Sequence, residues 1–369
     1  MRLLDRYLLR ELAVPLSYCL SAFLAFWVSF DLISNLSDYR EAGLGGSDLL
    51  VYYGYRMPDL LLIIAPVGLL LGMLYTLTNL ARHSELVAMR AAGISLLRLS
   101  VPYFLVGILF SVGLFALNDL VFSDGNEKAE KMLHDDEDQN NKWLKNYNFR
   151  NSHDGRTWNF GLYQLDTGEF RNAQVTWDLP DGTRQVIIGQ SGAYDGNTWV
   201  FTNAAQIVFL TPDTTPEHIP VTNRLEMPLF SETPKSIRNE VKINSLSSIT
   251  ASKRVFLSLG EITGYLHMHN LDVSPERRAL LLTQYHGRLA APWTCLVVVL
   301  IALPFGAVTG RRNVFVGVAS SIVIFFAFYV IQRFGLALGT SGRIPAVIAA
   351  WSPNAIFAIL GLWMTWRQR

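Results

Sequence analysis

The chain has 369 residues, of which 50% are hydrophobic and 17% are charged, and its formal net charge is +1. This balance gives no indication of nucleic-acid binding. The hydrophobic residues are gathered in long runs, which predicts a membrane protein; a large soluble protein with six buried helices is the weaker interpretation.

Six apolar runs follow in chain order, three before and three after a polar insert. They lie at 12–34, 56–80, 98–122, 288–309, 313–338 and 344–366. Each reaches the length of about 20 residues that a helix needs to cross hydrocarbon. The stretch before the first run lacks a small-residue cleavage site, so we expect it to be retained. The sequence therefore predicts an α-helical polytopic membrane protein with six transmembrane helices in a 3+3 arrangement.

Arginines in the short loops set the predicted orientation. Ten of them lie on the side that holds both termini and the 81–97 loop, whereas three lie on the other side. Because positively charged loops stay in the cytoplasm, we expect both termini to be cytoplasmic and the insert to face outward. The predicted domains are a membrane half at 1–122, the outward domain at 123–287 and a second membrane half at 288–369.

The insert changes character along its length. Glu127–Lys145 is charged and compatible with a helical stalk, whereas β-branched and aromatic residues alternate with polar ones from about Trp158 onward. Asp-Gly pairs at 154, 181 and 195 predict tight turns between strands. Predicted strands are Thr157–Tyr163, Arg184–Gly189 and Thr198–Leu210, which form an antiparallel all-β sandwich or open barrel. Helical segments are expected within Ser245–His286.

The chain lacks the common catalytic motifs. It contains no Gly-rich phosphate loop with lysine, no Gly-x-Ser-x-Gly elbow and no His-Glu-x-x-His helix. Cys19 and Cys295 lie inside apolar runs and offer no disulfide framework. His267 and His269 are a possible metal pair, but surface histidines are the preferred interpretation, and Asp135–Asp138 fits a solvated acidic stretch better than a calcium loop. We therefore predict no catalytic residue, metal or cofactor.

Ionisable residues inside the apolar runs are functional candidates, because a charge in the bilayer costs several kcal/mol unless it is paired or hydrated. They are Asp31, Arg56, Asp59, Asp119, Arg288 and Arg333. For Arg333 we expect a position in a hydrated cavity that meets an anionic headgroup; the alternative is an ion pair with Asp31 or Asp119. The predicted substrate-binding cations are Arg40, Arg56, Arg288 and Arg333. For Arg56, Asp59 and Arg288, the alternative is extension of the side chain to the membrane interface.

The 81–97 loop carries a short helix outside the membrane. Ser84–Gly93 has a helix start, good helix formers and a glycine stop. Leu86 shares a face with Met89 or Arg90, and Arg82 and Glu85 supply charges, a pattern suited to a groove in a soluble partner. An interfacial helix on lipid is the alternative. A membrane cavity, no motor domain and a docking helix together indicate the permease half of an ATP-driven transporter.

Four stretches resemble the lipopolysaccharide-export permease family LptF/LptG, and the first two are closer to the LptG branch. They are Leu4–Glu11, Ser84–Ser95, Leu289–Phe305 and Ile344–Asn354. The resemblance implies that a periplasmic β-jellyroll is inserted between the third and fourth helices of a cell inner membrane protein. It also implies that lipopolysaccharide is extracted from the membrane and passed through this domain. The stretch His286-Gly-Arg288 departs from the two adjacent basic residues expected in the family, so the resemblance does not extend to a phosphate contact at this corner.

The same resemblance implies partners and residue roles. The partners are a cytoplasmic LptB-like ATPase dimer, a paralogous LptF-like permease, a single-helix LptC-like subunit and a periplasmic LptA-like bridge protein. Glu85 would dock on the ATPase with Arg82 and Arg90 beside it, and the first and fifth helices would form lateral gates. Two rival classes remain, a mechanotransmission permease and a membrane scaffold that does not transport.

Overall fold

The structure is a computed structural model that describes residues 3–120, 125–126, 128–129, 131–133, 143–179, 182–209, 217–245, 257–269, 272–306 and 314–367. The chain divides into two compact units, each with its own core. The first contains Met1–Ala129 and Pro275–Arg369, and the second contains Glu130–Ser274. The acidic stretch Asp135–Asp138 lies outside the described residues.

The first unit contains six helical spans that are long and apolar enough to cross a membrane, which confirms the predicted number. The chain order is α1 Leu3–Ser34, α2 Leu36–Glu41, α3 Gly46–Arg82, α4 Glu85–Ala91 and α5 Leu96–Leu120, then α8 Pro275–Ala290, α9 Thr294–Gly306, α10 Val314–Thr340 and α11 Ala346–Arg367. Helices α8 and α9 form one span, joined by a 3₁₀ turn at Ala291–Trp293.

Proline acts differently at different places in these helices. Pro292 lies in the 3₁₀ turn, because its ring cannot donate a backbone hydrogen bond and disturbs the preceding turn. Pro345 directly precedes α11. Pro58 and Pro66, by contrast, lie inside the continuous helix α3. Within the fourth span, Pro292 therefore interrupts the α-helical pattern, whereas Pro304 lies inside α9.

Small residues allow two pairs of helices to approach closely. A Cβ atom on Gly72 would lie 3.1 Å from the Cα atom of Leu16, so α3 contacts the backbone of α1 there. A Cβ atom on Gly339 would lie 2.5 Å from the Cβ atom of Ala349, which brings α10 against α11. A buried cluster of leucines and other apolar residues from α1, α3, α4, α5 and α9 forms the core of this unit.

The second unit contains a six-stranded antiparallel sheet whose strands pair in chain order. The strands are β1 Trp143–Asn151, β2 Arg156–Gln164, β3 Phe170–Asp178, β4 Arg184–Asp195, β5 Thr198–Phe209 and β6 Glu217–Met227. The sheet confirms the inserted β domain and the three predicted strands, which are β2, β4 and β5. Within the described strands, this order is that of a meander.

The turns of this sheet also follow the sequence signals. Gly155, Gly182 and Gly196 have φ values of 68°, 87° and 54°, the left-handed conformation that glycine adopts without steric cost. Asn197 follows with φ 74°, which completes a tight turn between β4 and β5. Asp181, the partner of Gly182 in its pair, lies outside the described residues.

One predicted boundary is wrong. The helical stalk was expected to reach Lys145, but residues 143–145 already belong to β1. Tyr147, Phe149 and Asn151 alternate toward the interior, and Phe149 is completely buried against the sheet's aromatic core. Strand pairing with β2 and burial of this face outweigh the helix propensity of the charged residues that precede it. Strands β3 and β6 were not predicted, because no strong pattern marks them.

Two helices accompany the sheet, α6 Pro234–Ser245 and α7 Leu259–Met268. Helix α7 was expected, as was α8, whereas α6 precedes the segment in which helices were predicted. The Ser258 side chain accepts a hydrogen bond from the Glu261 backbone N–H, and the Glu261 carboxylate accepts one from the Ser258 backbone N–H. This capping box fixes the start of α7.

A buried ion-pair cluster contacts the aromatic core of this unit. Arg156 Nε donates to Glu232 Oε1 at 2.8 Å, and Asn151 Nδ2 donates to the same oxygen at 2.8 Å. The Arg156 guanidinium also contacts Asp154 and lies over the Phe230 ring. Burial acts to raise the pKa of Asp154, but hydrogen bonds and the charge of Arg156 prevail and lower it.

Candidate functional site

The predicted docking helix is present as α4, Glu85–Ala91. Its N-cap residue Ser84 has φ 60° and makes no side-chain capping hydrogen bond, so the serine marks the start without capping it. The helix stops before Gly93, whose φ of 83° is the left-handed conformation common after helix ends. The chain therefore forms the short helix that the loop sequence predicted, one residue later than expected.

The two faces of α4 have different environments. Leu86 is 2% exposed and belongs to the same buried cluster as Leu8 and Leu12 of α1, and Met89 packs against that cluster. Val87 and Arg90 are exposed. Leu86 and Met89 were expected to enter a partner's groove, but the structure places them toward this chain's own core. They anchor the helix, because burial of an apolar side chain is favourable.

The charged residues in and next to α4 are accessible. Arg82, at the end of α3, and Arg90 are exposed, and Glu85 is half-buried. The Glu85 carboxylate accepts a hydrogen bond from the Tyr7 hydroxyl of α1 at 2.7 Å. Sequence reasoning missed Tyr7, because the two residues are 78 positions apart and no local pattern joins them. These side chains offer charges of both signs to a soluble partner.

A second polar contact links the same two regions. Arg98, in the first turn of α5, forms a salt bridge with Asp5 of α1 at 2.8 Å. The segment from α4 to the start of α5 is therefore attached to the first turns of α1 at two places. Neither residue of this salt bridge was among the predicted site residues.

A cavity of about 450 Å³ lies within the first unit among α3, the fourth span and α10. Its lining is mostly apolar, with Phe325, Phe326 and Leu336 from α10 and Pro66 from α3 among the lining residues. Its polar lining residues are Thr294, Tyr329, Gln332 and Arg333. An apolar wall with a few polar groups is the usual composition of a ligand pocket.

Arg333 lines this cavity, as its predicted role requires. Its Nε atom donates to the Tyr329 hydroxyl at 2.9 Å, and its guanidinium lies 4.9 Å from the centroid of the Tyr329 ring. The predicted alternative was an ion pair with Asp31 or Asp119. Asp31 instead accepts hydrogen bonds from the hydroxyls of Tyr39 and Tyr53, and the side chain of Asp119 lies outside the described residues.

None of the other three predicted cations lines this cavity. Arg288 is half-buried next to the lining residue Gly287, and its guanidinium lies 3.4 Å from the Asn118 side-chain oxygen. Arg56 Nη1 donates to the Tyr52 hydroxyl at 2.9 Å. Arg40 is exposed on α2. Only Arg333 of the four lines the described cavity.

Tyrosines join these polar groups at one end of α1 and α3. Tyr39 donates to Asp31 at 2.7 Å, Tyr53 donates to the same carboxylate at 3.0 Å, and the Tyr39 ring packs against the Tyr52 ring. Burial, together with the hydrogen bond to Asp31, raises the pKa of Tyr39 well above its ordinary value. This network satisfies a carboxylate inside an apolar run, which removes the cost of leaving it without a partner.

The described residues contain no group of three or more His, Cys, Asp or Glu side chains placed to hold a metal ion. His269 was expected at the surface, but it is buried. Its Nε2 atom lies 3.1 Å from Glu240 Oε2, and its ring stacks on the Tyr265 ring. The His267 ring stacks on His153. Cys19 and Cys295 are both unbridged.

Comparisons with known proteins identify what the chain resembles as a whole. The family model described as "Lipopolysaccharide export system permease LptF/LptG" matches residues 6–367. The lipopolysaccharide export system permease protein LptF of Escherichia coli (strain K12) is 20% identical over 368 residues, which cover 98% of this chain and 94% of that protein. The LptF protein of Shigella flexneri matches with the same identity and coverage.

Proposed function

The chain belongs to the LptF/LptG family of lipopolysaccharide export permeases, and on this premise we propose that it is the membrane subunit of an ATP-driven complex that extracts lipopolysaccharide from the inner membrane. The family membership makes it a multi-pass inner-membrane transporter subunit. The observation that supports a lipid cargo is the apolar cavity with a single arginine at its wall. Assignment to LptG, suggested by the N-terminal and loop stretches, stays a prediction because the family model covers both branches.

The cavity chemistry suits an amphiphilic lipid with anionic headgroups. A volume of about 450 Å³ lies within the range of roughly 300–1,000 Å³ that is typical of ligand pockets. The phenylalanine and leucine side chains favour an acyl chain, since both exclude water. Arg333 supplies a permanent positive charge and several N–H donors, which match a phosphate group. Its contact with Tyr329 orients the guanidinium without neutralising it.

The cargo proposal is tested by crosslinking. A photoreactive amino acid in place of Phe326, which lines the cavity and is 67% exposed, should capture lipopolysaccharide in living cells. In this background Arg333→Glu should lower the crosslinked fraction by roughly tenfold or more, because a charge-assisted hydrogen bond is replaced by repulsion. Arg343→Glu is the matched control, since Arg343 is exposed in the α10–α11 loop and does not line the cavity. Undiminished crosslinking at normal complex yield would remove Arg333 from the site.

For the remaining cations we propose a supporting role. Arg56 and Arg288 both lie within electrostatic reach of Asp59, and Arg40 is exposed on α2. The positive charges of these three arginines would attract the phosphates of a lipid before the lipid enters the cavity. We expect their individual substitutions to reduce capture less than Arg333→Glu does.

Helix α4 is proposed as the ATPase-coupling element. Arg82, Glu85 and Arg90 are accessible to a soluble partner, while Leu86 and Met89 hold the helix against the membrane unit. Glu85→Lys reverses the charge that would meet a basic ATPase surface and should abolish retention of the ATPase during purification. Membrane insertion and yield should not change. A complex that keeps its ATPase at full strength would contradict the coupling role.

The wider assembly follows from the same family membership. We propose a cytoplasmic LptB-like ATPase dimer, a paralogous LptF-like permease, a single-helix LptC-like subunit and a periplasmic LptA-like bridge protein. The arginine distribution supports cytoplasmic termini and an outward β domain at about 123–287. In this arrangement the aromatic sheet lies on the periplasmic side and shelters acyl chains on their route to the outer membrane.

A further inference from the structure

We propose that Tyr7 is a positioning residue that holds Glu85 in the orientation needed for docking and couples the motion of α4 to α1. The proposal rests on the proposed role of α4 as the ATPase-coupling element. It adds a residue outside the docking helix and a route from that helix to the first membrane span. The contacts that carry it are the Tyr7–Glu85 hydrogen bond, the Asp5–Arg98 salt bridge and the buried Leu86.

The hydrogen bond uses only one oxygen of the Glu85 carboxylate. The Tyr7 hydroxyl donates to Oε2 at 2.7 Å, and within the described contacts Oε1 receives no hydrogen bond. Tyr7 is 36% exposed and Glu85 is half-buried, so the pair lies at the surface and stays accessible. A cationic or N–H group of a partner has access to the second oxygen while the first is held.

Because Tyr7 fixes the Glu85 carboxylate before a partner binds, it raises the affinity of α4 for that partner. A free glutamate side chain samples several rotamers, and a partner that binds one of them must restrict the others. The bond from Tyr7 makes this restriction before the partner arrives, and pre-ordering one side chain changes binding by roughly two- to tenfold. The phenol ring suits this role because it has few rotatable bonds and places its hydroxyl rigidly.

The same contacts connect α4 mechanically to α1. Tyr7 holds the first residue of α4, and Asp5 holds Arg98 at the start of α5. Between these two points Leu86 is buried in one cluster with Leu8 and Leu12 of α1. A partner that tilts α4 therefore displaces the cytoplasmic end of α1, since close-packed side chains transmit displacement.

The test compares four variants in the full complex in proteoliposomes. The variants are Tyr7→Phe, which removes the hydroxyl, Tyr7→4-aminophenylalanine, which restores a donor at the para position, Tyr75→Phe and Glu85→Lys. Tyr75 is the matched control because it is 52% exposed and no described hydrogen bond involves its hydroxyl. The probe is the ATPase recovered with the wild-type chain, stripped from the complex and added back. Affinity for this ATPase and lipopolysaccharide released per ATP hydrolysed are measured, with thermal stability as the structural readout.

We expect Tyr7→Phe to weaken ATPase binding by roughly two- to tenfold and to lower lipopolysaccharide release per ATP at unchanged thermal stability. The 4-aminophenylalanine variant should recover both, and Tyr75→Phe should match the wild type. If Glu85→Lys abolishes binding but Tyr7→Phe behaves like Tyr75→Phe, or if the para donor gives no rescue, the positioning role of Tyr7 is overturned. If Glu85→Lys leaves binding intact, the coupling role of α4 fails, and the proposal for Tyr7 fails with it.

Discussion

The buried ion pair of the β domain gives a quantitative prediction for Glu232→Gln. Glu232 is completely buried and Arg156 is 2% exposed, with 2.8 Å between Arg156 Nε and Glu232 Oε1. Asn151 donates to the same carboxylate oxygen. The substitution keeps the size of the side chain but removes its charge, so a buried guanidinium loses one of its two carboxylate partners.

The expected cost follows from that environment. Breaking a buried ion pair by changing one partner destabilises a protein by about 3–5 kcal/mol. The Arg156 guanidinium still contacts Asp154 and the Phe230 ring, which favours the lower end of this range. A loss of about 3 kcal/mol increases the equilibrium population of the opened domain by roughly 150-fold.

Hydrogen–deuterium exchange of the intact protein measures this change. Amides in the interior strands β2 and β5, which are paired on both sides, should exchange roughly 150-fold faster in Glu232→Gln. Glu226→Gln is the control, because its partner Arg224 lies 2.9 Å away but the two side chains are 56% and 65% exposed. Such an exposed pair contributes less than about 1 kcal/mol. Equal protection in the two variants would refute the assigned role of the buried cluster.

Three further predictions concern other regions. Hydrogen bonds and the Arg156 guanidinium lower the pKa of Asp154 in the folded protein, although burial acts in the opposite direction. The ionised Asp154 carboxylate therefore contributes its full stabilisation at pH values above the pKa of the unfolded chain. This stabilisation is lost as the pH falls through the lower pKa of the folded protein. Exchange protection of the sheet should therefore decline below about pH 4, and less so in Asp154→Asn. Gly72→Leu should lower the thermal stability of the solubilised chain by the equivalent of about 1–3 kcal/mol, because a Cβ atom at position 72 meets the backbone of Leu16. Gly54→Leu is the control and should leave the stability unchanged, since a Cβ atom at position 54 has no neighbour within 4 Å. Leu86→Ala should cost about 2–5 kcal/mol of local stability and speed exchange in α4, in contrast to Val87→Ala at an exposed position.

Features that depend on local composition were predictable from the sequence. Hydropathy is a property of each run, so all six spans were found, although the first, second and fourth spans begin about ten residues before the apolar stretches. Asp-Gly turns located strands β2, β4 and β5, whereas β1 follows a charged segment and was missed. The Arg333–Tyr329 contact has the i, i+4 spacing of helix neighbours and was readable in principle.

Features that depend on tertiary placement were not predictable. The sequence indicates that Leu86 and Met89 share a face of α4, but the direction of that face depends on where α1 packs. For the same reason, the docking face was predicted to contain Leu86, which is buried. Tyr7 and Glu85 meet only because the tertiary fold brings the first turns of α1 to the start of α4, and a separation of 78 residues leaves no periodic signal.

Native mass spectrometry of the complex captured through a tag on this chain tests the central claim most directly. The predicted complex holds one copy of this chain, one related six-helix chain and two copies of a soluble ATPase. A bound mass that matches lipopolysaccharide should accompany it and should be lost when ATP is hydrolysed. Recovery of this chain alone or only as a homo-oligomer, with no ATPase and no lipopolysaccharide in any of several detergents, would contradict the proposed transport function.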